Sequence, residues 1–305
     1  MRAKLIVNPV SGRDTAPDYL ASINQILRRS TGFLDIAMTT GDGDAAALAA
    51  QAVRDGVDHV LIGGGDGTVN EVVNGVMQID GGLDRVVFGI VPLGTGNDFA
   101  TALGVPDDVA AAAEALTDAV VTPIDVGTLN GRAFVNVSAG GFIAEVSDAV
   151  NPQMKTIAGR LAYLLGGAQV AFKFEAIEAQ FAFPAKGSYP GTTPVQPHRR
   201  VHTFAVCNSS LVGGGHRIAP RARADDGLFD VCVIPEMPTV EFVALLRRVS
   251  DGTHLDDERV AYFQAPSLDV TFNRRVKVNT DGQVLEASRC EYRLLPRAAR
   301  FLVPR

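Results

Sequence analysis

Short apolar runs alternate with amphipathic stretches over residues 1–124. Ala3 to Val7, Phe33 to Met38, His59 to Ile62 and Arg85 to Val91 read as buried strands. Tyr19 to Arg29, Asp44 to Asp55, Thr68 to Gln78, Asn97 to Leu103 and Asp107 to Ala119 read as helices. Val69, Val72, Val73 and Val76, for instance, fall at i, i+3, i+4 and i+7. Strand and helix in turn predict a parallel sheet covered on both faces. After Thr122-Pro123 the period shortens. Ile124 to Leu129, Ala133 to Ser138, Val201 to Cys207, Leu228 to Ile234, Leu268 to Phe272 and Arg274 to Asn279 read as strands. Asn130-Gly131 and Asp281-Gly282 read as two-residue hairpin turns. Lys155 to Phe174 and Pro238 to Arg248 have helical texture, and Pro184 to Pro197, with four prolines, reads as a flexible loop. The expected fold class is α/β plus mainly-β. A doubly wound parallel-sheet domain is expected over 1–124 and an antiparallel β-sandwich-like domain over 125–295.

Composition narrows the class. With 305 residues, 47% hydrophobic and 20% charged, the chain has the make-up and room of a globular protein with ample core. Its longest apolar runs fall short of the ~20 residues that cross a bilayer, so no transmembrane segment is expected. The amino terminus enters a strand directly, without the apolar length of a signal peptide. Cys207, Cys232 and Cys290 are few and scattered, which fits a reducing cytoplasm and forms no zinc or disulfide pattern. His198 and His202 are four apart but have no further ligands nearby in sequence. A net charge of −6 argues against nucleic acid as partner. The segment Arg274 to Arg305 holds eight Lys/Arg against three Asp/Glu. Such a tail could meet anionic headgroups at the inner face of a membrane, although a solvated basic strand face is the favoured reading. Oligomeric state, a homodimer included, stays open.

Gly63-Gly64-Gly65-Asp66-Gly67-Thr68-Val69-Asn70-Glu71 is the most informative segment. It joins a strand to a helix, where glycine lets the backbone approach a polyanion and the first helical N–H groups point at it. No Gly-Lys-Ser/Thr follows, so this is no Walker A loop, and Thr68 stands where a dinucleotide fingerprint needs its third glycine. A second such turn, Pro92-Leu93-Gly94-Thr95-Gly96-Asn97-Asp98-Phe99-Ala100, follows the next strand, with Asn97 or Asp98 able to cap the helix after it. Both turns fall at the carboxyl edge of the predicted sheet, where ligands bind.

These two segments, with Asn8-Pro9-Val10-Ser11-Gly12 before them, resemble in order and spacing the diacylglycerol kinase catalytic family, especially its compact bacterial lipid kinases. Gly213-Gly214-Gly215, Ala219-Pro220-Arg221-Ala222 and Asp226-Gly227-Leu228-Phe229-Asp230-Val231 are similar to that family's second-domain signature. The resemblance implies a nucleotide domain akin to those of NAD kinase and phosphofructokinase, to which the chain end, 296–305, could return. It also implies ATP and Mg²⁺ as cofactors, with a lipid hydroxyl as acceptor in a cleft between the domains. Leu161, Tyr163, Leu164, Leu165 and Phe172 are candidates to line that cleft, or plain core.

Phosphoryl transfer asks for positioned phosphates, neutralised charge and an aligned acceptor rather than covalent help. Gly64, Gly65, Gly67 and Thr68 would supply phosphate donors, and Gly94, Thr95 and Asn97 a second wall. Asn8, Pro9, Ser11, Thr39, Asn70 and Glu71 complete the expected nucleotide contacts, Glu71 as a steadier of metal-bound water or as a solvated carboxylate. A bare carboxylate repels phosphate, so Asp66 makes sense as a magnesium-linked or proton-accepting group. The family commonly ends its site in Asp-Gly-Glu, its glutamate assigned as proton acceptor, whereas this chain reads Asp281-Gly282-Gln283. An amide takes no proton at neutral pH. Asp281 or Asp66 serves instead, or a loose transition state needs no base, or activity is reduced. By resemblance Asp226, with the carbonyls of Arg223 and Leu228, would hold a structural Mg²⁺; an Asp-Gly turn is the plainer reading. A kinase of a soluble hydroxyl compound, like the NAD kinases, and a nucleotide-binding regulator without turnover are the alternatives.

Overall fold

The computed structural model describes residues 2–12, 16–149, 174–183 and 198–305. Its contacts divide the chain into two units, Met1–Val126 with Arg297–Arg305, and Gly127–Pro296.

In the first unit β1 (Arg2–Val7), β2 (Phe33–Met38), β3 (His59–Gly64) and β4 (Val87–Pro92) run parallel in the order β2-β1-β3-β4. The end of β13 (Gln283–Val303) adds a lane beside β4, where Phe301 pairs in parallel with Phe88. β4 is buried along its whole length, as a central strand covered on both faces must be. The surrounding helices are α1 (Ala16–Leu27), α2 (Asp44–Arg54), α3 (Asp66–Met77), α4 (Gly82–Arg85), α5 (Asp98–Ala102) and α6 (Val109–Thr117). α1 buries Tyr19, Ile23, Ile26 and Leu27, one face of a 3.6-residue period. α2 buries mainly alanines, which lets α3 approach closely. A Cβ at Gly75 would lie 2.1 Å from the Ala46 carbonyl oxygen, so only glycine fits. Arg85, expected in a strand, ends α4 instead. Gly81 takes a φ of 63° and opens that extra turn of helix.

In the second unit every named strand pairing is antiparallel. The strands are β5 (Val120–Leu129, entering from the first unit), β6 (Arg132–Phe134), β7 (Val137–Gly141), β8 (Ile177–Ala182), β9 (His198–Cys207), β10 (Phe229–Pro235), β11 (Ala261–Ala265), β12 (Ser267–Thr280) and the start of β13. β7 and β8 share one lane between β9 and β12, each pairing with a different stretch of both. Among the described residues two α-helices accompany them, α7 (Phe142–Ala149) and α8 (Thr239–Arg248). β10 buries both faces. Val231 and Val233 join Phe134, Phe204 and Tyr292 in one cluster, while Cys232 and Ile234 join Phe142, Phe242 and Leu245 in another. That alternation makes a layered, sandwich-like unit.

Several sequence expectations shift. Ala133 to Ser138 divides into β6 and β7, because the backbone at Val135 and Asn136 bonds a side chain rather than a strand. Leu268 to Phe272 and Arg274 to Asn279 form one strand, and the predicted break is a register shift against β13 between Thr271 and Val276. β8, β11 and most of β13 had no strand predicted. Residues 155–173, including the five candidate cleft residues, and 184–197 lie outside the described residues. Much of the basic excess after Arg274 is neutralised locally: Lys277 meets Glu145 at 3.0 Å, Arg293 meets Asp269 at 2.6 Å, and Arg275, Arg289 and Arg305 have carboxylate partners. This favours the solvated-face reading of that stretch. Among the described residues no helix is long and apolar enough to cross a membrane.

Candidate active site

The parallel strands end level. Val7 is in register with both Met38 and Gly63, and Gly64 with Pro92. The turns that follow β1, β2, β3 and β4 therefore gather at one edge of the first unit. Asn8, Pro9 and Ser11 follow β1, Thr39 follows β2, Gly65 to Thr68 follow β3, and Gly94 to Asn97 follow β4.

Hydrogen bonds fasten these turns to one another. The Asn8 side-chain amide donates to Thr68 Oγ1 at 3.3 Å, and its backbone N–H to the Gly63 carbonyl at 2.8 Å. Leu93 N donates to the Gly64 carbonyl at 3.0 Å, and Thr39 N to the Val7 carbonyl at 2.9 Å. The two glycine-rich turns touch through their backbones. A Cβ on Gly94 would lie 2.6 Å from Gly65 Cα, and one on Gly64 2.5 Å from the Thr68 side chain. Around Gly67, by contrast, a Cβ would meet nothing within 4 Å. Substituting Gly94 by alanine should therefore force the turns apart and cost about 1–3 kcal/mol of stability. Gly41→Ala, where the added methyl meets nothing within 4 Å, is the control. Equal melting temperatures for the two variants would show that the close approach imposes no constraint.

Asp66 occupies a position that its local sequence does not announce. Its carboxylate accepts Asp98 N–H at 3.1 Å and Phe99 N–H at 3.0 Å, so it caps α5 from the other turn. Asn97, the N-cap residue, makes no side-chain cap of its own. Asn97 sits at φ 52°, accepts Gly94 N–H at 2.9 Å, and donates to the Gly94 carbonyl and to Asp107. The expected ligand-facing amide is thus the clasp of its own turn. Burial, and next the neighbouring Asp98 carboxylate, push the Asp66 carboxyl up to about 6, against the opposing pull of its backbone hydrogen bonds. With Asp66 directed at α5, the N-cap of α3, Gly65, has no side-chain bond onto that helix. Thr68 is buried at the same turn, and Thr95 and Gly96 are exposed. Asn70 is 1% exposed and receives the Asn74 amide at 3.1 Å, which places it beneath the turn, while Glu71 is half-buried one step on.

In the second unit Asp281 is buried at φ 47°, in the turn between β12 and β13. Its carboxylate accepts the N–H groups of Val135 at 2.7 Å, Asn136 at 3.2 Å and Val137 at 2.9 Å. A group so occupied fixes the β6–β7 segment, and a proton-accepting role would have to break that arrangement. Gln283 accepts a hydrogen bond from Arg132. Asn136 and Ser209 are hydrogen-bonded beside this segment, and Asn208 donates to the Val135 carbonyl at 2.9 Å. Asp226 is exposed and accepts Leu228 N–H at 3.1 Å across Gly227, the geometry of an Asp-Gly turn. Arg223 pairs with Asp225 at 3.2 Å. Among the described residues no three His, Cys, Asp or Glu side chains converge as a metal site.

Comparison with known proteins places this geometry. Residues 2–129 match the model of the diacylglycerol kinase catalytic domain, and 136–303 match the YegS C-terminal NAD kinase beta sandwich-like domain. The diacylglycerol kinase of Bacillus subtilis (strain 168) is 33% identical over 283 residues, 92% of this chain and 89% of that one. The chain belongs to the diacylglycerol kinase catalytic family. A second relative, named "Probable lipid kinase YegS-like", from Shewanella frigidimarina (strain NCIMB 400), is 30% identical over 91% of this chain and 87% of its own length. The crystal structure of a proposed diacylglycerol kinase from Bacillus anthracis str. Sterne superposes with a TM-score of 0.82 at 26% identity, covering 99% of this chain and 95% of that one. As a family member the chain is a kinase. The family's two-part fold is the one observed, an α/β unit followed by a sandwich-like β unit.

Proposed function

We propose that the chain is an ATP-dependent kinase that transfers the γ-phosphoryl group to a hydroxyl of a lipid such as diacylglycerol. The observation that carries this reading is the start of α3. Its own acidic residue is turned away to cap α5, its N-cap is a glycine without a side-chain bond, and space is open around Gly67. Backbone N–H groups at such a helix start suit a phosphate. Gly64, Gly65, Gly67 and Thr68 then cradle the phosphates, with Gly94 and Thr95 opposite. Asn8, Pro9, Ser11 and Thr39 border the nucleotide. Asn97, Asn70 and Asp66 hold the turns in place. Family membership and relatives named as diacylglycerol and lipid kinases support the lipid acceptor.

The residues also fit magnesium. At Asp66 a raised carboxyl beside Asp98 is a concentration of negative charge that a divalent cation relieves, and each carboxylate oxygen keeps a further lone pair beyond its backbone bond. Glu71, half-buried on the same helix, would steady the water around the ion. When bound with the nucleotide, magnesium supplies charge neutralisation at the phosphates. The Asp226 carboxylate with the Arg223 and Leu228 carbonyls is an all-oxygen donor set, which suits a second, structural ion. Asp281 positions the β6–β7 segment, and Gln283 meets the acceptor as a hydrogen-bonding group.

The test mixes purified protein and Mg-ATP with dioleoylglycerol micelles or with soluble alcohols, NAD among them, and follows ADP release. Release that requires the lipid is the expected result. Release driven only by a soluble alcohol, or ATP binding without turnover on any acceptor, would overturn it.

A further inference from the structure

Arg132 begins β6, immediately after the Asn130-Gly131 turn. That turn is pinned to β13: the Asn130 amide donates to the Arg289 carbonyl at 3.1 Å and accepts Glu291 N–H at 2.8 Å. Downstream, Asp281 holds the N–H groups of residues 135 to 137. The backbone carrying Arg132 is therefore fastened on both sides. Its guanidinium donates to Gln283 Oε1. Arginine has donors only, so the contact fixes the amide orientation: the oxygen faces Arg132 and the NH₂ points away from it. The partner is uncharged, and among the described residues no carboxylate pairs with Arg132. Arg132 thus brings a guanidinium charge to Gln283, while the neighbouring Asp281 carboxylate is taken up by backbone N–H groups.

We propose that Arg132 is a positioning and specificity residue: it holds Gln283 as a hydrogen-bond donor toward the acceptor oxygen and biases the enzyme to neutral lipid alcohols over cationic amino alcohols. This rests on the kinase reading above, with Gln283 on the acceptor side. An amide N–H can hold a hydroxyl or ester oxygen by its lone pair. It offers no counter-charge to an ammonium, and the unpaired guanidinium behind it repels one. A glutamate at 283 would instead pair with Arg132 and cancel the field.

The experiment compares wild type, Arg132→Ala and Gln283→Glu on dioleoylglycerol and on sphingosine in the same mixed micelles with Mg-ATP. Wild type should prefer the neutral lipid, and Arg132→Ala should shrink that preference about tenfold, the scale of one relieved like-charge contact. The change should appear mainly in acceptor KM, with the KM for ATP and the melting temperature held. Gln283→Glu should shrink the preference as well. In a Gln283→Ala background, removing Arg132 should alter dioleoylglycerol turnover far less than it does in wild type. If dioleoylglycerol turnover persists but the lipid preference does not move in Arg132→Ala, the inference is overturned and the kinase reading stands. If wild type turns over neither lipid, both fall.

Discussion

Asp66→Ala is expected to lower phosphoryl transfer by about 100-fold or more, the penalty that accompanies a displacement of roughly 1 Å in a positioned site. The carboxylate spans two turns that arrive from different strands, and its removal leaves the Asp98 and Phe99 N–H groups without their acceptor. α5 can then drift from α3, and the two glycine-rich turns lose their spacing. Asp66→Asn should be milder, since its amide oxygen still accepts one of the two bonds. A pH signature accompanies the change. The folded-state carboxyl is pushed up to about 6 from the ordinary aspartate value of 3.8. Between those values the folded chain binds the proton more tightly than the unfolded chain does. The contribution of Asp66 to stability is therefore greatest in acid and is lost as pH rises through about 6. Melting curves from pH 4 to 7 should show this slope in wild type and lose it in Asp66→Asn. A near-normal kinase rate in Asp66→Ala would remove the latch from the mechanism.

Asp281→Ala should destabilise the second unit by about 3–5 kcal/mol, the scale for removing one side of a buried charged interaction. Three backbone donors at Val135, Asn136 and Val137 would lose their acceptor inside the structure. Water cannot replace it cheaply, because this residue is only 5% exposed. Asp281→Asn tolerates the φ of 47° but turns a donor toward N–H groups, so it should recover only part of the loss. Denaturant midpoints for the three proteins test this. A shift below about 1 kcal/mol in the alanine variant would mean that the donors find other partners, and that Asp281 is available for chemistry.

The glycine turns and their strands were legible because their signals are local: a short apolar run, glycines, then valines at helical spacing. Asp66 shows where such reasoning stops. Its partners lie 32 and 33 residues further along, and capping rules look only to the adjacent Asn97 and Asp98. Asn97 had the residue type for a ligand contact, but its left-handed backbone turns the amide onto Gly94. Asn70, next in a recognisable motif, is turned inward by the helix that bears it. Arg132 gave no signal, since an arginine after a hairpin turn is an ordinary surface residue until Gln283 is beside it. β13 escaped prediction because polar residues dominate its middle and Pro296 interrupts it; its pairing is set by distant strands rather than by its own pattern.

The last stretch of the chain, Arg297–Arg305, belongs to the first unit, where Phe301 stacks on Phe88 at 5.0 Å and meets Phe99 edge-on. Phe88 is wholly buried in that finished arrangement. During translation the α/β unit thus emerges first but stays incomplete until Arg297–Arg305 has followed the second unit out of the ribosome. A nascent chain stalled before Arg297 would expose that aromatic surface, which makes prematurely terminated copies targets for quality control rather than partial kinases.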